Sequence, residues 1–185
     1  MTYKTLEPLA DLYDAMDNTW SKVATGYHFK CNGCDDNCCK SLFFHHTYIE
    51  KAYLLHGFNV LDQDKKEKIL VKAKNYCEKT FPQSPEIKSL KIYCPVNEDG
   101  RCLLYPYRPM VCRLHGLPHE LSKPGFKPVK GTGCEAGLFN DKTYIEFDRT
   151  PFYQQMAQIE MTFRQVVLNK TGKIKETVAQ MLLSQ

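Results

Sequence analysis

Residues 94–113 constrain this chain more tightly than any other stretch. They read Cys94-Pro95-Val96-Asn97-Glu98-Asp99-Gly100-Arg101-Cys102-Leu103-Leu104-Tyr105-Pro106-Tyr107-Arg108-Pro109-Met110-Val111-Cys112-Arg113. Proline lacks a backbone N–H and fixes φ, so a segment broken this way cannot be one regular helix or one central strand. Its cysteines are presented from turns, which is how a chain wraps a metal. An earlier cluster, Cys31, Cys34, Cys38 and Cys39, supplies more sulfurs, and Cys134 adds another. We read these eight sulfurs as converging on one or two metal centres.

The rest of the composition fits that reading. A length of 185 residues suits a single domain with a real core. Hydrophobic residues make up 43% and charged residues 25%, as in an ordinary soluble protein. The formal charge of +4 counts thiols as neutral. Eight thiolates around two divalent centres would bring it to zero, so the basicity makes no case for a nucleic-acid partner. No apolar run approaches the ~20 residues of a membrane helix. The first thirty residues lack the basic and apolar regions of a secretory signal. A cytoplasmic, reducing setting follows, in which nine cysteines favour metal binding over a disulfide framework.

Periodicity outlines the flanking structure. Leu9, Leu12, Tyr13, Met16, Trp20 and Val23 recur at helical steps and predict an amphipathic helix over 5–24, closed by Gly26. Asn32-Gly33 and Asp35-Asp36-Asn37 are turn residues within the first cysteine loop. Thr47-Tyr48-Ile49-Glu50 is a capping box and predicts a helix over 48–56 ended by Gly57. Asp64 through Glu67 repeats the pattern for a helix to about Thr80, before Phe81-Pro82 and Ser84-Pro85 break the chain. Residues 90–105 read as a hairpin turning at Gly100. The density of Gly and Pro over 114–134 predicts a long ordered loop without regular structure. Thr150-Pro151 reads as a cap followed by proline at the first helical position. It opens a helix with Phe152, Met156, Ile159, Phe163, Val166 and Val167 inward. Gly172 stops that helix, and Ile174, Val178, Met181 and Leu182 mark a last short one, so the terminal helical region is 151–183. The expected fold is mainly α, with helices packed around an irregular cysteine-rich centre and at most a small β-hairpin.

The cysteine spacing carries the chemistry. Cys31-x-x-Cys34 is a chelate bite, since two intervening residues let both thiolates reach one ion at ~2.3 Å. Cys38 and Cys39 are adjacent, and their side chains point apart. They serve different metals more readily than one, and a vicinal disulfide would strain the peptide. Cys94-Pro95 is a corner of the kind that iron–sulfur loops use. Residues Asn97 to Gly100 fold back toward it, so that Cys102 can approach Cys94. Gly131 and Gly133 beside Cys134 bare backbone N–H groups that can donate to sulfur.

Cys31-x-x-Cys34-x-x-x-Cys38-Cys39, taken with Cys94-Pro95-x-x-x-x-Gly100-x-Cys102-x-x-Tyr105-x-x-Arg108-Pro109-x-x-Cys112-Arg113, resembles the YkgJ-type cysteine-cluster family. That family is described as a zinc- or iron-chelating domain. The resemblance covers about residues 26–135. It implies that Cys31, Cys34, Cys38, Cys39, Cys94, Cys102, Cys112 and Cys134 are all metal ligands. Family members often carry apolar residues after Cys-Pro, where this chain has Val96 and then Asn97. A flagellin lysine methylase carries a similar module, which implies that the module can support S-adenosylmethionine-dependent methyl transfer. No separate methyl-donor motif stands in this chain.

Other residues have plainer readings beside the functional ones. Cys77 lies on an apolar helical stripe and reads as a small buried hydrophobe. Arg101, Arg108, Arg113 and Lys40 flank the sulfurs, either to compensate thiolate charge or to bind an anionic group. His115, three residues after Cys112, is the histidine best placed to be an exchangeable ligand or an acid–base group. Arg108, Arg113 and His115 are therefore the candidate cofactor-binding residues. Of His45 and His46, one should face solvent. Lys65, Lys66, Lys68, Lys72 and Lys74 read as the wet face of a helix.

Two function classes follow. One is an iron–sulfur protein with a four-iron cluster, a second metal, or both, in a redox or group-transfer role. The other is a zinc-stabilised binding module without catalysis, with metal trafficking as a further variant. No hydrolase triad, phosphate-binding glycine loop or dinucleotide fingerprint is present, so the sequence names no reaction.

Overall fold

The computed structural model describes residues 3–31, 38–81, 92–123, 125–134, 138–169 and 171–184. The turn residues 32–37, with Cys34 among them, and the expected break over 82–85 lie outside the described residues. Among the described residues six helices form: α1 (Glu7–Gly26), α2 (Tyr48–Asn59), α3 (Gln63–Thr80), α4 (Met110–Leu114), α5 (Thr150–Phe163) and α6 (Val178–Leu183). Short 3₁₀ turns lie at Tyr3–Thr5, Cys38–Lys40 and Tyr105–Tyr107, and a π turn at Arg164–Leu168 extends α5. Strands β1 (Asn97–Glu98) and β2 (Arg101–Cys102) pair antiparallel, as do β3 (Pro118–Leu121) and β4 (Val129–Thr132). The fold is thus mainly α with two small antiparallel ladders. The chain packs as two compact units, one from Met1–Asp36 and Met110–Lys170, the other from Asn37–Pro109 and Thr171–Gln185.

In the first unit, α1 carries the expected stripe. Leu9, Leu12, Tyr13, Met16 and Val23 are buried, and α4 and α5 pack against this helix. Trp20 is only half-buried, and its indole Nε1 donates to the His115 carbonyl at 2.9 Å. Phe139 anchors the other end of α1. Its ring meets Tyr27 edge-on at 5.0 Å and Phe29 at 5.2 Å between centroids.

The stretch 114–134 is more regular than its composition predicts. Four residue pairs, from Pro118–Thr132 to Leu121–Val129, make the β3–β4 ladder. The glycines serve close approach here rather than breaking structure. A Cβ on Gly131 would collide with the His119 imidazole. Gly133 sits at φ +88° with the Gly116 carbonyl 2.9 Å from where a Cβ would stand.

Helix α5 also starts differently from its sequence reading. Arg149 occupies the cap position, without a side-chain bond, and Thr150 is already helical. The Thr150 hydroxyl instead accepts from Ser122 N at 2.8 Å, so it ties the ladder to the helix. The inward stripe holds at Met156 and Phe163. Val166 and Val167 are both exposed, because the π turn shifts the register of the last residues and Asn169 ends it in the left-handed region.

In the second unit, α3 and α6 pack together. Leu54, Phe58, Ile69, Val96, Leu104, Val178, Met181 and Leu182 form its core. The Thr47 hydroxyl accepts from Glu50 N, as the capping box predicts. Helix α3 begins earlier than expected, because the Asp62 carboxylate, rather than Asp64, accepts from Lys65 N at 2.9 Å. Helix α2 runs past Gly57 to Asn59. Gly57 is there for contact, since a Cβ would collide with the ring of Tyr107.

Helix α6 is only six residues long, too short to persist alone. Thr177 and Gln180 cap it reciprocally, with Gln180 N donating to the Thr177 hydroxyl and Thr177 N donating to Gln180 Oε1. Thr177→Ala should therefore cost about 1 kcal/mol of stability in a urea titration. A change within error would mean the packing of Met181 and Leu182 alone holds this helix.

Candidate metal centre

The second unit holds Cys38, Cys39, Cys94 and Cys102. Cys38 and Cys39 open the 3₁₀ turn at Cys38–Lys40. Cys94 N donates to the Cys39 carbonyl at 2.6 Å, so two cysteine blocks far apart in sequence are tied by their backbones. Asn97 N donates back to the Cys94 carbonyl at 2.9 Å and closes the Cys94-Pro95 corner. Asp99 and Gly100 then both adopt positive φ, which is the geometry of the tightest hairpin turns. Gly100 N donates to Asn97 Oδ1 at 3.2 Å and fixes the turn. The resulting register sets Cys102 directly opposite Asn97. Cys94 and Cys102 are half-buried and pack against the core of this unit.

The thiols differ in their electrostatics. Cys39 is pulled down from the ordinary thiol value to about 6. Hydrogen bonding with the Cys38 side chain is the largest cause; burial opposes it, and Asn97 lowers it further. At neutral pH this sulfur is therefore mostly thiolate, the form that binds metal. Asn97 lies near enough to favour that charge, although its Nδ2 makes no well-formed hydrogen bond among the described residues. Cys77 behaves as the sequence suggests. It packs beside Ala73, Tyr76 and Ala179, and burial pushes its thiol up. Tyr76, nearby on α3, is pushed up to about 12, first by burial and then by the Cys94 charge.

The first unit holds Cys31, Cys112 and Cys134. Cys31 is exposed, Cys112 is half-buried in α4, and Cys134 is buried. Cys134 N donates to the Gly116 carbonyl at 3.0 Å. The Gly133 turn thus holds the Cys134 backbone, where the sequence suggested a role for glycine N–H groups toward sulfur. No disulfide joins any two of the described cysteines. Among the described residues, no three His, Cys, Asp or Glu side chains are gathered closely enough to hold an ion.

The three candidate cofactor-binding residues have partners within the fold. Arg108 donates to the Tyr105 carbonyl at 2.9 Å and lies over the Tyr105 ring. Arg113 is buried, pairs with Asp17 of α1 and stacks on Tyr13, 4.0 Å from its centroid. The His115 carbonyl takes the Trp20 indole bond. Of the histidine pair, His45 is buried and His46 exposed, as strand alternation predicts. His45 exchanges two backbone bonds with Glu176, at 2.7 and 3.0 Å. The sequence marks Asn97 only as the start of a turn; its place beside the Cys39 sulfur comes from the fold.

No helix among the described residues is long and apolar enough to cross a membrane. No family model matches the chain, and no curated protein and no solved structure matches it.

Proposed function

We propose that this chain is a metal-centre protein. It would bind an iron–sulfur cluster, a second metal, or both, through Cys31, Cys34, Cys38, Cys39, Cys94, Cys102, Cys112 and Cys134. The observation that carries the reading is the link between cysteine blocks in the second unit. Cys94 is bonded through its backbone to Cys39, whose thiol already favours the thiolate at neutral pH. Soft thiolates select iron–sulfur clusters, zinc or copper(I) over hard cations. Under this reading Cys38, Cys39, Cys94 and Cys102 would hold one centre or parts of two, and a cluster there would supply one-electron chemistry. Asn97 would favour the sulfur charge of Cys39 and so tune the centre. The resemblance to the cysteine-cluster family supports the same donor set.

Metal analysis of freshly purified protein, with an anaerobic absorption spectrum, tests this. The expected result is a brown protein containing iron and sulfide whose visible absorbance is bleached by dithionite. Cys39→Ser and Cys38→Ser should each lose metal, in different proportions if the two serve different centres. A colourless protein with stoichiometric zinc would replace the redox reading with the zinc-stabilised module. A protein with neither metal at stoichiometric level, even after anaerobic reconstitution, would overturn the proposal.

A further inference from the structure

Strand β4 is paired on one side only. An antiparallel ladder alternates pairs that exchange main-chain bonds with pairs that do not. Glu120 settles which pairs are which. Its N–H donates to the Phe147 carbonyl at 3.0 Å, and its carbonyl accepts from Arg149 N at 2.9 Å, both on the side away from β4. Glu120 and Lys130, which stand directly opposite, are therefore a non-bonded pair. So are Pro118 and Thr132, two residues along, where Pro118 has no N–H to give. By the same alternation, the N–H and C=O groups of Lys130 and Thr132 point outward from β4. No described residue bonds to them there. Both residues are exposed. An edge of this kind is a template for one more strand.

We propose that the outer edge of β4 takes an extended acidic segment of a partner protein as an added strand, with apolar residues alternating between the acids. Such docking uses none of the candidate metal ligands.

The main chain provides the bonds, and the side chains choose the occupant. A residue opposite Lys130 shares its face, and one opposite Val129 shares the other. The Lys130 side chain stays 72% exposed although it pairs with Glu120 at 3.3 Å. Opposite charges across a ladder are stabilising, so a carboxylate belongs opposite Lys130. Lys123 and Lys127 in the connecting turn are also exposed, and no Asp or Glu stands between Glu120 and Glu135. Glu135 itself lies outside the described residues. On the other face Val129 is 64% exposed and calls for an apolar neighbour, and Phe126 in the turn adds a bare ring. The edge is pre-formed, because Phe147, Arg149 and Thr150 hold β3 and Ser122 from the far side. Binding therefore orders only the incoming segment. A second copy fits less well, since two β4 edges side by side would bring two sets of these lysines together.

Amide-resolved NMR and hydrogen exchange on the full chain test this, with acetyl-Glu-Val-Glu-Val-Glu-amide as the probe and its lysine counterpart as the control. In the free chain the Lys130 and Thr132 amides should exchange freely, while Gly131 is protected by β3. With the acidic peptide at about ten times its Kd, protection at Lys130 and Thr132 should rise about ten-fold. Lys130→Gln should weaken that peptide by about five-fold, the scale of an exposed charge pair. Lys130→Pro removes an outward N–H that β3 does not use, so it should abolish binding and leave Gly131 protected. Should that variant not fold, the acidic peptide N-methylated throughout asks the same of the native chain, and it should not bind. No binding of the acidic peptide would overturn the assignment. Equal binding of the lysine peptide, or binding that survives N-methylation, would reduce the edge to a charged surface and overturn it too. So would Lys130 and Thr132 amides already protected in the free chain; protection that grows with protein concentration would give the edge to a second copy.

Discussion

Gly57→Ala should lower stability by about 2 kcal/mol in a urea or thermal titration, although alanine is the better helix former by ~1 kcal/mol. Gly57 lies inside α2, and intrinsic propensity alone predicts that the substitution stabilises. The opposing effect is the ring of Tyr107, which occupies the space of the missing side chain. A Cβ at Gly57 would collide with the ring and lie 2.8 Å from the Tyr107 Cβ. Rotating the ring relieves only part of this, because the Tyr107 Cβ is fixed to the 3₁₀ turn at Tyr105–Tyr107. That turn is pinned in turn, since Tyr107 N donates to the Leu104 carbonyl at 2.8 Å and Leu104 is core. The ring also meets Tyr53 at 5.3 Å and His56 at 5.9 Å, so it cannot move without losing both contacts. Overpacking of this kind costs ~1–3 kcal/mol and sometimes more. In a chain of this length the net loss corresponds to a melting-temperature drop of about 4–8 °C. A double-mutant cycle isolates the cause: with Tyr107→Ala in place, Gly57→Ala should become neutral or stabilising. A loss of the same size in both backgrounds would show that α2 and the 3₁₀ turn do not pack this way.

The same contact explains why the end of α2 could not be read from sequence. Glycine as a helix stop and glycine as a site of close approach look identical until the partner ring is placed. Gly131 repeats the ambiguity, since it receives the His119 imidazole inside a ladder that composition alone argued against. Signals that act within a few residues were legible: the Thr47 cap, the α1 stripe and the Asp99-Gly100 turn follow from local chemistry. Where two local options competed, as with Asp62 and Asp64, side-chain reach to Lys65 N decided. The backbones of Cys94 and Cys39 meet, but among the described residues no three His, Cys, Asp or Glu side chains gather, so the convergence of sulfurs that the spacing suggests stays a proposal. The partner of Arg113 was not legible, because Asp17 lies on a helix far away in sequence. Charge beside a cysteine pointed to thiolate compensation, and only the fold supplies the competing carboxylate.

Acidification from pH 7.5 to 4.5 should cost the native chain about 2–3 kcal/mol more than it costs a His45→Phe variant. His45 is 2% exposed and its Nδ1 has no hydrogen-bond partner among the described residues. Burial, reinforced by the charge of His46, holds its pKa down at about 4, against 6.5 for a free imidazole. Between those values the unfolded chain binds a proton that the folded chain refuses. Stability is therefore complete above pH 6.5, falls as the pH drops through that window, and stops falling below about 4. At ~1.4 kcal/mol per pH unit, the whole window is worth about 3 kcal/mol. Carboxylates and thiols also titrate in acid, but they are common to both chains and cancel in the comparison. Phenylalanine retains the buried ring volume without the titration, and His45→Gln is the fallback if its shape is not tolerated. The consequence is local as well as global, because the His45 backbone holds Glu176 in the two-bond bridge just before the Thr177 cap. Protonation should therefore loosen α6 first, visible as faster amide exchange at Met181 than in the core of α3 at about pH 4.5. Parallel pH profiles for the native and His45→Phe chains would mean that His45 takes up its proton without leaving the folded state, and that its surroundings are wetter than this packing allows.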